Sequence, residues 1–172
     1  IVMDIAFRCA LLNKSMFGDQ CYKHTHGTVI IDEIDEHLHP ALQVRVLKAL
    51  QDTFPKIQFI ISTHAPLVMS SVEPRKDEKG NDINVVYKLE YADGEYTHKE
   101  LDIYGMDAST IIETYMEQPS RDLKVNADIK AILDLDKGEI QKARESLGTL
   151  EQNIASGDPE LTRIEALISF ME

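Results

Sequence analysis

The stretch from Thr28 to Pro40, T-V-I-I-D-E-I-D-E-H-L-H-P, constrains the fold more than any other part of the chain. Thr28, Val29, Ile30 and Ile31 are all β-branched, and Gly27 precedes them. Such side chains pack well on a pleated surface. A short unbroken apolar run of this kind predicts a strand buried on both faces of a parallel sheet. Asp32 and Glu33 follow at once. Ligands of open α/β sheets gather beyond the carboxyl ends of the strands, so the acid pair is expected at the mouth of the sheet. One carboxylate there suits a hard cation such as Mg²⁺, which takes oxygen ligands and keeps waters and phosphates in its other positions. Its neighbour suits the orienting of an attacking water.

The next residues extend the pattern. Pro40 fits the first position of a helix, where its missing N–H costs nothing. Val46, Leu47, Leu50 and Phe54 form the apolar face of that helix, and Pro55 ends it. Ile57, Phe59, Ile60 and Ile61 predict a second buried strand, followed by Ser62-Thr63-His64-Ala65-Pro66 and a short helix through about Ser71. Strand, helix, strand in this order predicts a parallel βαβ crossover. Upstream, Val2, Ile5, Ala6, Cys9 and Leu12 share one helical face over residues 1–13, with Asp4 and Arg8 as an i,i+4 pair. Asn13 to Gly27 reads as polar and irregular, with His24 and His26 in a solvated loop. Downstream, Ile83 to Tyr91 and Glu95 to Leu101 alternate around Asp93-Gly94, a hairpin pattern.

From Asp107 the chain is expected to be helical. Ile111, Ile112, Tyr115 and Met116 mark a short helix stopped by Pro119, and Val125, Ile129, Ile132 and Leu133 mark the next. Ile140, Ala143, Leu147, Leu150 and Ile154 form a seam suited to packing on another helix. Asp158-Pro159 reads as a cap and first helical residue, and Leu161, Ile164, Leu167, Ile168 and Met171 continue that face.

Composition narrows the class. The 172 residues are 43% hydrophobic and 28% charged, enough for a buried core. No apolar run reaches the length of a membrane span, and no signal peptide is recognisable, so a cytoplasmic location without membrane contact is expected. Cys9 and Cys21 fit neither a disulfide framework nor a zinc ribbon. A net charge of −12 argues against this stretch itself forming a nucleic-acid groove, since phosphate binding draws on Lys and Arg. The chain opens on Ile1 in helical rhythm with no cap, which reads as a piece of a longer protein.

The strand ending in Asp32-Glu33 resembles the Walker B motif of P-loop ATPases in its two-acid variant. Ser62-Thr63-His64-Ala65-Pro66 resembles the switch-histidine loop of ABC-type ATPases. The D-E-x-x-x-H-L-H-P form is similar to the RecF/SMC-like and OLD-like group of AAA-family proteins. It also resembles bacterial predicted ATP-binding proteins of the phage-defence and virulence-associated kind. The likeness covers Ile1 to about Pro74 well and the remainder loosely.

This resemblance implies a partial P-loop NTPase of the α/β class. An ABC-type head with parallel strands and a closing β-hairpin would occupy residues 1–104, and a small all-helical unit residues 105–172. It implies an ATP-hydrolysing enzyme with ATP and Mg²⁺ as cofactors. Asp32 would bind Mg²⁺ through a water, Glu33 would orient the water that attacks the γ-phosphate, and His64 would hydrogen-bond the γ-phosphate. Glu36, His37 and His39 would lie in the D-loop, which in this family reaches across a dimer. ABC transporters carry aspartate where His39 stands, so the role of His39 is left open. The implied assembly is a homodimer gated by nucleotide, with an effector or nuclease partner and with DNA met through regions outside this chain. The signature loop of such heads would lie before Ile1, and no G-x-x-x-x-G-K-[ST] loop occurs in the sequence. The chain alone is therefore expected to bind ATP weakly or not at all.

Three rival readings follow from other residues. The helical tail could be a non-catalytic interaction or dimerisation module, with Leu147 and Leu150 on its working surface. Asp134-Leu135-Asp136 has the D-x-D form of an OLD-like Toprim nuclease, which such chemistry requires at a strand end. His37 and His39 with neighbouring acids form a candidate H-x-H metal site.

Overall fold

The computed structural model describes residues 1–134 and 139–171, the last as backbone only. It divides into two compact units, Ile1–Met116 and Glu117–Glu172. The segment that follows residue 104 therefore begins inside the first unit, where the Gly105 N–H donates to the Ser70 carbonyl at 2.9 Å.

The first unit opens with helix α1, Val2–Phe17, which ends where Gly18 takes φ 57°. A single 3₁₀ turn, Gly18–Gln20, leads into the short helix α2, Cys21–His24. The expectation of irregular chain from Asn13 to Gly27 is thus corrected. Packing decides here over polarity: Cys21 is buried in one cluster with Ile5 and Cys9 of α1. Asn13 Nδ2 donates to Thr25 Oγ1 at 2.9 Å, and Thr25 Oγ1 donates to the Cys21 carbonyl at 2.7 Å, so the polar side chains of this segment find partners within it.

Strand β1, Gly27–Ile31, helix α3, Pro40–Thr53, and strand β2, Ile57–Ile61, form the expected crossover. β1 and β2 are parallel and in register, with Gly27 opposite Ile57 and Ile31 opposite Ile61. Helix α4, Pro66–Met69, follows with its proline at the first helical position. Ile31, Ile34, Leu50, Phe54, Ala65 and Val68 join the α1 residues in one core, with Val29, Ile57, Phe59 and Ile61 packed against it. The core lies on one face of the strand pair. Alternation sends Ile30 and Ile60 to the other face, where they are 77% and 51% exposed. Burial on both faces is therefore corrected to burial on one.

Strands β3, Val86–Ala92, and β4, Glu95–Leu101, form an antiparallel hairpin around Asp93 and Gly94. Both turn residues have positive φ, as a two-residue hairpin turn with right-handed twist requires. Among the described residues these strands pair only with each other, so the hairpin forms its own sheet and does not close that of β1 and β2. Asp107 then caps helix α5, Ala108–Thr110, which runs into a π turn at Ile111–Tyr115.

The second unit holds α6, Leu123–Leu133, α7, Ile140–Asn153, and α8, Pro159–Met171. Ile129, Ile132, Ala143, Leu147, Leu150, Ile164 and Ile168 form its core, which makes the predicted seam an internal one. Leu147 and Leu150 lie in that core and are not free surface. Asp158 caps α8 as expected, with Oδ1 accepting from the Glu160 N–H at 2.9 Å. Its Oδ2 accepts from Arg121 Nη1 at 2.5 Å, tying the segment before α6 to the start of α8. Asp134 follows helix α6 and no strand, which removes the strand-end setting a Toprim D-x-D needs. Leu135 and Asp136 of that motif, and the Met171 side chain, lie outside the described residues.

Candidate functional site

The parallel register brings the acid pair and the histidine loop to one rim. Because Ile31 and Ile61 are partners, Asp32-Glu33 and Ser62-Thr63-His64 leave the sheet side by side. The ladder continues past the strands. Ser62 N–H donates to the Ile31 carbonyl at 3.0 Å, and Ile34 N–H donates to the Ser62 carbonyl at 3.2 Å.

Side chains reinforce this seam. The Ser62 hydroxyl donates to Asp32 Oδ1 and accepts from the Glu33 N–H at 2.9 Å. The Thr63 hydroxyl donates to Asp35 Oδ1 and accepts from the Ala65 N–H at 3.1 Å. The same Asp35 oxygen accepts from the His64 N–H at 3.3 Å. Buried Ile34 and Ala65 anchor the two loops in the core. Asp32, Glu33 and His64 themselves are exposed.

Glu33 stands out by its backbone. Its φ of 48° lies in the left-handed region, which residues with a Cβ rarely adopt. Conformations of this kind cost on the order of 1–3 kcal/mol and persist where the surroundings impose them. Here the bonds from Glu33 N–H and Ile34 N–H to Ser62 do so.

Of the expected site residues, Asp32, Glu33 and His64 are thus brought to one rim, and the others are not part of that seam. Glu36 and His37 lie on the exposed turn after it, with His37 Nε2 3.4 Å from Glu36 Oε1 and His37 at φ 63°. His39 is the N-cap of α3: its Nδ1 accepts from the Ala41 N–H at 3.2 Å. No group of three His, Cys, Asp or Glu suited to a metal occurs among the described residues, so His37 and His39 do not assemble an H-x-H site with neighbouring acids. Three participants escaped the sequence reading: Asp35, Ser62 and Thr63. Their residue types are visible as the third acid of D-E-I-D and the paired hydroxyls before the histidine, but the contact that joins them is not.

The donor chemistry of the rim suits a nucleotide's cation. Mg²⁺ is held through one or two carboxylates while waters and phosphates fill its other positions. Asp32, exposed beyond a parallel strand and bonded through Oδ1 alone among the described residues, meets that requirement.

Residues 10–70 match the family model described as "AAA domain, putative AbiEii toxin, Type IV TA system". Over these residues the chain is similar to that family. The matched segment contains the whole rim, from β1 through the histidine loop. Among curated proteins, the chain is 43% identical over 89 residues to "Retron Vc95 probable ATPase" of Vibrio cholerae serotype O1 biovar El Tor, covering 52% of this chain and 17% of that protein. It is 28% identical over 170 residues to "Retron Ec83 probable ATPase" of Escherichia coli, covering 96% of this chain and 29% of that protein. It is 56% identical over 41 residues to the Septu protein PtuA of Bacillus mycoides (strain KBAB4), covering 24% of this chain and 6% of that protein. The chain thus spans less than a third of the length of these relatives. No described helix is long and apolar enough to cross a membrane.

Proposed function

We propose that the segment of residues 10–70 supplies the hydrolytic rim of an AAA-family, ABC-type ATPase head, acting as a nucleotide-gated homodimer in a defence system. The observation that carries this reading is the shared rim: the acid pair and the histidine loop leave adjacent parallel strands in register. In phosphoryl transfer the protein mainly positions groups and stabilises charge. Mg²⁺ bound with ATP would neutralise charge on the phosphates, and Asp32 would hold it. Glu33, on the next residue, orients the attacking water and takes its proton. His64 donates a hydrogen bond to the γ-phosphate and reports its presence. The retron and Septu names of the relatives support a defence role, with an effector partner and any contact with DNA lying in other parts of the protein.

Glu33→Gln in the protein at its full natural length tests the reading. It removes the base and keeps the shape, so turnover should fall by roughly 10²- to 10⁴-fold, the contribution of a positioned base. ATP should remain bound. Hydrolysis at the wild-type rate would remove Glu33 from the mechanism.

A further inference from the structure

We propose that Asp35 is a positioning residue that sets the backbone of the histidine loop from the acid turn; this rests on the hydrolytic reading above. The geometry is specific. One oxygen of Asp35, Oδ1, accepts from both the Thr63 hydroxyl and the His64 N–H, the latter at 3.3 Å. Thr63 in turn accepts from the Ala65 N–H at 3.1 Å, so three consecutive residues of the loop are tied to one carboxylate. Asp35 is itself held: it follows buried Ile34, and its carbonyl accepts from the Leu38 N–H at 3.0 Å.

The two acids of D-E-I-D that bond to this loop therefore divide their work. Asp32 bonds to Ser62 and has oxygen chemistry suited to a cation. Asp35 bonds to the next two residues, including the backbone of the histidine itself. Bonds to an ionised acceptor are roughly twice as strong as neutral ones. The exposed imidazole of His64 thus extends from a backbone fixed at its own N–H. Misplacing a reacting group by about 1 Å costs on the order of 10²-fold in rate.

The test uses the protein at its full natural length, with ATP hydrolysis and thermal unfolding measured side by side. Asp35→Ala removes the acceptor. It should lower kcat on the order of 10- to 100-fold while KM for ATP moves by a few-fold at most. Asp35→Asn keeps an oxygen at the same place and should restore most of kcat. Thr63→Val should lower kcat less than Asp35→Ala, Thr63→Ser should restore it, and Asp35→Ala combined with Thr63→Val should be no worse than Asp35→Ala alone. If Asp35→Ala does not fold, the Asp35→Asn and Thr63 variants carry the test unaided.

Wild-type kcat in Asp35→Ala or, where that variant does not fold, in Thr63→Val, overturns the proposal. So does an effect confined to KM, or damage in Asp35→Asn equal to that in Asp35→Ala. Glu33→Gln run in parallel separates the two claims. If it hydrolyses normally, the hydrolytic reading fails; if it is inactive while Asp35→Ala is normal, only the positioning role fails.

Discussion

Replacing Glu33 by glycine should stabilise the protein while abolishing its turnover. The reason is the backbone at that position, φ 48° in a residue with a Cβ. An L-residue in the left-handed region costs roughly 1–2 kcal/mol through contact of Cβ with its own chain. Glycine removes that contact but has more backbone freedom to lose, about 0.5–1 kcal/mol relative to alanine. Taking the midpoints of the two ranges, the net gain for Glu33→Gly is about 0.75 kcal/mol. Both bonds that impose the conformation come from backbone N–H groups, Glu33 to Ser62 Oγ and Ile34 to the Ser62 carbonyl, so glycine keeps them. Glu33→Ala is the matched control: it loses the same carboxylate and retains the Cβ. For a chain of 172 residues a gain of this size raises Tm by roughly 1–4 °C. The assay is thermal unfolding followed by circular dichroism, with ATP turnover measured on the full-length variants. Glycine should melt above alanine, and both should be inactive. A glycine variant no more stable than the alanine variant would refute the strain argument. Wild-type turnover in either would refute the role of the carboxylate.

Phe54 is wholly buried, with its ring centroid 6.4 Å from that of Tyr22 and 6.5 Å from that of Phe59. Phe54→Ala should therefore destabilise the first unit by about 3–5 kcal/mol in denaturant unfolding, the range for truncating a core aromatic ring; a loss under about 1 kcal/mol would contradict its place in the core. His39→Ala should weaken α3 by about 1 kcal/mol and His39→Ser should recover it, since the side chain acts as a helix cap; equal stability of the two variants would refute the capping role. Arg121 beside Asp158, together with the Glu160 N–H, holds the Asp158 carboxyl below its usual range of 3.8. A lowered folded pKa means that its stabilisation is complete above about pH 4 and is lost as the pH falls through the folded value. Asp158→Asn keeps the capping oxygen and loses only the charge paired with Arg121, so it should speed amide exchange in α8 at pH 7 by roughly two- to fivefold, for about 0.5–1 kcal/mol of pairing lost, and the gap from wild type should close as the pH falls below 4. A gap that is the same at pH 7 and pH 3 would sink this account.

The parts of the fold legible in the sequence were those set by local chemistry. Pro40 and Pro66 marked helix starts, Asp158 marked a cap, and the two apolar runs marked strands whose parallel pairing follows from one intervening helix. Exposure was not legible. Ile30 and Ile60 have the composition of doubly covered strands, yet only the opposite face of this two-stranded sheet carries the core. The extension of α1 to Phe17 was hidden because Asn13 and Ser15 favour caps and turns over helix interiors, and it is Cys21, buried in one cluster with Cys9, that orders the segment. At the candidate site, Asp32, Glu33 and His64 could be singled out by residue type and spacing. Asp35 and Thr63 could not, because what distinguishes them is a contact between residues on different loops, across one helix and one strand. The left-handed backbone of Glu33 was equally hidden, since the rule that favours glycine there is overridden by bonds to Ser62.

The hydrogen-bond ladder that runs beyond the ends of β1 and β2 has a mechanical consequence. Ser62 N–H to Ile31 and Ile34 N–H to Ser62 stitch the two loops as firmly as residues within the sheet. Neither loop can shift by itself without breaking that stitching, so any rearrangement that accompanies a change of bound phosphate must either carry both loops as one block or stay confined to exposed side chains. The amides of Ile34 and Ser62 should consequently exchange with solvent on the slow timescale of the sheet and not on that of a surface turn.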